Sequence, residues 1–201
     1  MNPYIFREYD IRGVVADDFS DEVVELLGKG IGTYFREKDA KTISLSGDIR
    51  LSTPHLKSVL TKGLLSTGLN IIDLGIVPTP VNYYSMYVLP VDGAIQITGS
   101  HNPPDMNGFK ISLDKKAVFG EQIQHIKNII EKGVFAVGAG KVSEKSLLEE
   151  YKQMIISKIQ LARPLKIAMD CGNGAASLTA PEIFKKIGCQ VTELYCEVDG
   201  R

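Results

Sequence analysis

The sequence predicts an α/β fold: a mixed, mostly parallel sheet layered with helices, followed by an incomplete second α/β domain of similar topology. Three observations predict it. Helix-period and strand-like segments alternate from Asp21 onward, and small polar or Gly-rich loops separate them. After Pro164 the same order of strand, polar loop, helix, Gly stop and strand begins again.

From Asp21 to about Glu37, Val23, Val24, Leu27, Ile31, Tyr34 and Phe35 recur at three- and four-residue steps, which predicts a helix with one buried face. Ser20 stands where its N-cap belongs. Thr42-Ile43-Ser44-Leu45 reads as a strand and Ser46–Arg50 as a polar loop. Thr53-Pro54 reads as the N-cap and first-turn proline of a helix carrying Leu56, Leu60 and Leu64 on one face. Gly68 stops that helix, and Asn70–Leu74 is the next strand. Val77-Pro78-Thr79-Pro80 interrupts the pattern before a helix through Tyr83–Val88, and Gly93–Thr98 gives another strand.

A polar loop from Gly99 to Gly108 leads into the strand Phe109–Leu113. There Phe109, Ile111 and Leu113 share one face and Lys110 and Ser112 the other. A helix around Glu121–Glu131 carries Ile123, Ile126, Ile129 and Ile130, and Gly133–Val142 reads as a turn-laden tail. A linker helix at about Ser146–Ile159 precedes the strand Lys166–Met169, the loop Asp170-Cys171-Gly172-Asn173-Gly174, a helix to about Ile187 and the strand Gln190–Tyr195. The expected division is a first domain over 1–145, a linker helix over 146–160 and the start of a second domain over 161–201. Two strands and one helix do not close a core of their own.

Composition excludes several classes. Lys plus Arg number 23 and Asp plus Glu 24, so no general positive field favours nucleic acid or an anionic membrane. At 44% hydrophobic and 23% charged, with 19 Gly and 9 Pro, the 201 residues have the composition of a globular protein, neither disordered nor fibrous. No apolar run approaches the roughly 20 residues of a membrane helix, and Met1–Glu8 has no secretory pattern, so a cytoplasmic location is expected. Cys171, Cys189 and Cys196 form no C-x-x-C pair and read as buried or inert thiols.

Two segments concentrate chemistry. Thr98-Gly99-Ser100-His101-Asn102-Pro103-Pro104 crowds a hydroxyl, an imidazole and an amide into a loop between strands, with the prolines fixing its backbone. By itself this is a polar turn or a reactive loop. Lys110, within ten residues of Ser100, adds the cation that phosphoryl chemistry needs beside a nucleophilic hydroxyl. Phe6-Arg7-Glu8-Tyr9-Asp10-Ile11-Arg12-Gly13 reads either as an edge strand with solvated charges or as a guanidinium grip for phosphate.

These residues carry a resemblance. Phe6–Val15, the Thr98–Pro104 loop with Asn107-Gly108-Phe109-Lys110-Ile111 after it, Asp170–Gly174 and Leu194–Gly200 together resemble the α-D-phosphohexomutase superfamily, in its bacterial phosphomannomutase/phosphoglucomutase branch. The resemblance runs in order over essentially the whole chain. It implies the first domain of that fold and interconversion of hexose 1-phosphate and hexose 6-phosphate, mannose or glucose, by an intramolecular phosphotransferase. It makes Ser100 the phosphoserine, Lys110 a general acid/base and Arg12 a catalytic partner, with Tyr9, His101 and Asn102 binding substrate. It also implies a hexose 1,6-bisphosphate intermediate and a Mg²⁺ reached through the phosphate on Ser100.

Two departures accompany it. Ser46-Gly47-Asp48-Ile49-Arg50 lacks the first arginine and second glycine of the family's Gly-Arg-Asp-Gly-Arg run, and no Asp-x-Asp-x-Asp metal loop occurs. The expectation is therefore an N-terminal fragment, inactive alone, whose segment Leu147–Arg201 is weakly protected or covered by self-association. Two alternatives stand beside it. One is a non-catalytic sugar-phosphate binding module. The other is a dinucleotide-binding unit built on Gly172-Asn173-Gly174 with Glu193 and Glu197, although Ser177 stands at the third glycine position.

Overall fold

The computed structural model describes residues 1–201. After a 3₁₀ turn at Pro3–Ile5 come β1 (Ile11–Val14), the single turn α1 (Val15–Asp18) and α2 (Asp21–Glu37). Next are β2 (Thr42–Gly47), α3 (Thr53–Leu65), β3 (Asn70–Ile76), α4 (Thr79–Val88) and β4 (Gly93–Ile97). Then follow β5 (Met106–Leu113), the short β6 (Lys116–Ala117), α5 (Glu121–Lys132) and β7 (Val142–Glu144). The chain continues through α6 (Leu148–Lys158), β8 (Lys166–Asp170), a 3₁₀ turn at Ala175–Leu178, α7 (Ala180–Lys186) and β9 (Gln190–Leu194).

The main sheet has the order β1-β5-β4-β2-β3-β7, with β6 paired to β5. The strands β4, β2, β3 and β7 run parallel, and β5 is antiparallel to both β4 and β1. A separate parallel pair, β8-β9, makes a second small sheet. The fold is therefore the expected mixed, mostly parallel α/β arrangement.

Helices cover both faces of the main sheet. On one, Ile43, Leu45, Ile95, Ile97, Phe109 and Ile111 pack under the apolar stripes of α2, α3 and α5 in the main core. The Val23 amide donates to Ser20 Oγ at 3.4 Å, so the predicted cap of α2 is present. On the other face the strands alternate to polar residues, and α4 sits over them. Asn82 donates to Ser46 Oγ at 2.6 Å, Ser46 to Gln96 Oε1 at 2.6 Å, and Ser44 and Ser85 share a hydrogen bond at 2.6 Å. These buried hydrogen bonds fix how α4 lies on the sheet, with the Asn82 Oδ1 alone among their atoms left unpartnered.

Several boundaries differ from the sequence reading. Helix α4 starts at Thr79, ahead of Tyr83, because Pro80 falls in its first turn, where a missing N–H costs nothing. Ser52 occupies the cap position of α3, while the Thr53 hydroxyl donates to Asp48. The tail after Gly133 ends in β7, whose exposed residues are held by parallel pairing to β3. The helix expected after Gly174 is divided into the 3₁₀ turn and α7. Cys189 is buried, but Cys171 and Cys196 are partly exposed with their sulfurs 3.4 Å apart, so the buried reading does not hold for that pair.

Candidate active site

The loops that follow β2, β3 and β4 leave the carboxyl ends of parallel strands, where ligands bind in open α/β sheets. Ser100 lies in the loop after β4, exposed, at φ +55°. A non-glycine residue in that left-handed region costs about 1–3 kcal/mol and persists only where its surroundings impose it. Here they do.

Asp48, at the end of β2, is 8% exposed and gathers four donors. Its Oδ2 accepts from Thr98 Oγ1 at 2.7 Å and from the Gly99 amide at 3.3 Å, and its Oδ1 from Thr53 Oγ1 at 2.8 Å and the Arg50 amide at 3.0 Å. Thr98 Oγ1 in turn accepts the Ser100 amide at 2.9 Å.

Arg50 completes the frame. Its guanidinium donates to the carbonyls of Ser100, Asn102, Pro103 and Met106 while its Nε lies 3.3 Å from Asp48. The planar fork needs flat space over Gly99, where an added Cβ would come within 2.3 Å of Arg50 Cζ. Asn102 closes the loop from within, its side-chain amide donating to Gly99 O at 2.7 Å. The carbonyls are thus turned inward, and the Ser100 hydroxyl faces outward with His101 Nδ1 3.4 Å away.

Ser100, His101 and Asn102 border a cleft of about 580 Å³. Pro78 and Thr79 line one part of it, and Gly174, Asp199 and Gly200 form the side contributed by the C-terminal unit. Gly200 seats directly on the backbone of Ile49: a β-carbon there would lie 2.1 Å from the Ile49 carbonyl oxygen.

The two cations predicted for the site line no part of this cleft and meet instead at Asp10. Arg12 grips Asp10 through both Nε and Nη2, the closest approach being 2.8 Å, and Lys110 Nζ lies 3.3 Å from the same carboxylate. Asp10 is 4% exposed, and two cations against one buried carboxylate leave one positive charge over. Burial, and then the negative charge of Asp10, push the phenol of Tyr83 on α4 up.

Arg12, Tyr9 and Asn102 border a smaller concavity of about 280 Å³. Asn102 therefore belongs to both hollows. Neither Arg12 nor Lys110 bonds to the Ser100 side chain, so the structure forms two adjoining groups: the serine loop and the Asp10 cluster. Sequence reasoning left Asp10, Asp48 and Arg50 without roles. The retained Asp48 and Arg50 of the departed motif were the available signal.

No group of three or more His, Cys, Asp or Glu side chains is placed to hold a metal ion. Mg²⁺ wants near-octahedral oxygen ligation. Ser100 is exposed among backbone carbonyls already held by Arg50, and the residues present do not fit a magnesium site. The dinucleotide alternative fails too. The amides of Gly172, Asn173 and Gly174 are donated inward, to Asp170 Oδ1, Tyr195 O and Cys171 O, leaving none to cradle a pyrophosphate. No helix is long and apolar enough to cross a membrane.

Comparison with known proteins agrees with this architecture. Residues 3–137 match the family described as phosphoglucomutase/phosphomannomutase, alpha/beta/alpha domain I. A phosphomannomutase/phosphoglucomutase of Pseudomonas aeruginosa is 43% identical over 196 residues, covering 98% of this chain and 42% of that protein. A phosphoglucomutase of Neisseria meningitidis is 42% identical over 198 residues, with 98% and 43% covered. A solved phosphoglucomutase/phosphomannomutase family protein from Burkholderia thailandensis superimposes with a TM-score of 0.95 at 38% identity, over 100% of this chain and 45% of that one. The chain thus spans less than half the length of these relatives. From the sheet order, the fixed serine loop and the match over residues 3–137, the chain belongs to the phosphoglucomutase/phosphomannomutase family.

Proposed function

We propose that the whole protein interconverts hexose 1-phosphate and hexose 6-phosphate, of glucose or mannose, as a cytoplasmic phosphotransferase, with Ser100 as the phosphoryl carrier. The observation that carries this is the conformation of Ser100, an exposed serine at positive φ in a loop whose carbonyls at Gly99, Ser100, Asn102 and Pro103 are taken up by Asn102 and Arg50. Phosphoserine carries about −1.5 to −2 charges. The surplus positive charge around Asp10 suits that group and the phosphate of the sugar.

In the forward step the bond between phosphorus and Ser100 Oγ breaks as a bond from phosphorus to the sugar hydroxyl oxygen forms. Lys110 enters the step as the neutral amine, takes the hydroxyl proton and so becomes the second cation beside Asp10, while Ser100 Oγ leaves with a proton drawn from water in the cleft. The product is a hexose 1,6-bisphosphate. Once turned over in the cleft, it returns its other phosphate to Ser100, and Lys110 gives the proton back. Arg12 and Tyr9 hold the distal phosphate, while His101 and Asn102 border the reacting group. Residues 1–145 supply the phosphoserine domain, 146–160 the linking helix and 161–201 the opening of a second domain.

The test is to measure phosphate on Ser100 by intact mass and peptide mapping of the whole protein, then its turnover of glucose 1-phosphate with a bisphosphate activator and Mg²⁺. One phosphate on Ser100, and loss of turnover in Ser100→Ala, is the expected result. Unchanged turnover in that variant would overturn the assignment. An unphosphorylated protein that binds hexose phosphate without turnover would identify a binding module.

A further inference from the structure

Cys171 and Cys196 lie outside the cleft, Cys196 bordering a separate hollow with Asn173, Tyr195 and Glu197, and nothing in the reaction above uses them. The parallel register sets Asp170 of β8 against Leu194 of β9, so the residues that follow leave the sheet side by side. The Cys171 amide donates to Leu194 O at 3.1 Å, and the two sulfurs stand 3.4 Å apart.

The loops bearing them are already joined. Asn173 N donates to Tyr195 O at 2.6 Å and Asp199 N to Asn173 O at 3.0 Å. With its nitrogen turned toward them, the Asn173 amide reaches the carbonyls of Tyr195 and Glu197. Both thiols are partly exposed, whereas Cys189 is buried elsewhere in the unit. With its partner 3.4 Å away, a cysteine oxidised to the sulfenic acid is met by a second thiol, which closes a disulfide before further oxidation to separate acids.

We propose that Cys171 and Cys196 form a redox modification site, closed by a peroxide-class two-electron oxidant into an intramolecular disulfide that fixes loop 170–174 to loop 195–201. One sulfur attacks a peroxide oxygen, the O–O bond breaks, and a sulfenic acid and one water result. The second sulfur attacks the sulfenic sulfur, the S–O bond breaks, and a second water leaves with the remaining thiol proton. Both cysteines are oxidised by one electron each, and peroxide is reduced to two waters. Burial, and then Cys196 beside it, push the Cys171 thiol up, so the resting pair keeps Cys171 protonated. The inference is independent of the mutase reading.

To test it, the full chain is treated with hydrogen peroxide and its peptides are mapped without reduction, while amide exchange is followed at 172–174 and 195–200. The expected result is a Cys171–Cys196 cross-linked peptide lacking two hydrogens and reversed by dithiothreitol, with Cys189 unmodified and exchange in both loops slowed roughly tenfold. Separate sulfinic acids, a bond to Cys189, an intermolecular disulfide or unchanged exchange would each overturn the proposal. Slowed exchange persisting after peroxide treatment of Cys196→Ser would also overturn it. The wild-type map decides the matter even where a variant folds poorly.

Discussion

Arg50 Nη2 donates to the carbonyl of Ser100 at 3.1 Å, so the backbone of the candidate nucleophile is fixed by a side chain fifty residues earlier in the chain. The same guanidinium holds Asn102, Pro103 and Met106. The loop and its clamp form one unit, and a positive φ at Ser100 is stable only inside it.

Arg50→Ala is therefore expected to release the loop. Turnover by the whole protein falls roughly a hundredfold through mispositioning, while the rest of the fold stays intact. Arg50→Lys should rescue little, because an ammonium cannot reproduce the planar fork. Hydrogen exchange at 99–104 beside kcat and circular dichroism checks this. Full activity with a mobile loop contradicts it.

Asp10→Ala leaves Arg12 and Lys110 without their shared carboxylate. The two cations then repel with no carboxylate between them, and the expected result is a loss of kcat of about 10²–10⁴-fold, similar to that of Lys110→Ala. If Lys110 acts in proton transfer, its substitution also removes a limb of the pH–rate profile. If it serves only as a charge, KM rises and the profile keeps its shape. Steady-state kinetics of both variants across pH separates the two.

Phe109 is fully buried and meets Phe19 edge to face at 5.3 Å. Phe109→Ala is expected to cost roughly 3–5 kcal/mol, read from urea unfolding, because the cavity opens where β1, β4 and β5 converge on the core. A cost below about 1 kcal/mol would mean the site collapses freely.

Lys152 of α6 is 6% exposed and lies between Glu149 and Glu182, the latter on α7. Hydrogen bonding to Glu149 and then Glu182 raises its pKa above 10.5, and hydrogen bonding to Lys152 lowers that of Glu182 below 4.5. The lysine's contribution is complete below 10.5 and is lost as pH climbs through the raised value. The glutamate's is complete above 4.5 and is lost as pH falls through the lowered one. Docking of α7 on α6 should hold steady over roughly pH 5–10 and weaken on both sides, and Lys152→Met should flatten that dependence. Amide exchange in α7 across pH measures it.

The sequence makes the covalently local features readable. The stripe Leu27, Ile31, Tyr34 and Phe35, the Ser20 cap and the alternation of Phe109, Ile111 and Leu113 each follow from a periodicity that burial then uses. Strand β7 carries no such signal, since its three residues are exposed and only pairing with β3 makes them a strand. In the site, Ser100, Lys110 and Arg12 were legible as reactive types. Arg50 was not, because its partners are backbone carbonyls, which any sequence possesses. The meeting of Cys171 with Cys196 depends on the register of β8 against β9, which no local pattern encodes.

The seat of Gly200 on the Ile49 carbonyl is backbone against backbone, so no side chain at position 49 adjusts it. The next residue, Arg50, holds the serine loop. Any side chain larger than hydrogen at position 200 would therefore press on the Ile49 peptide, one residue before the arginine that fixes the serine loop.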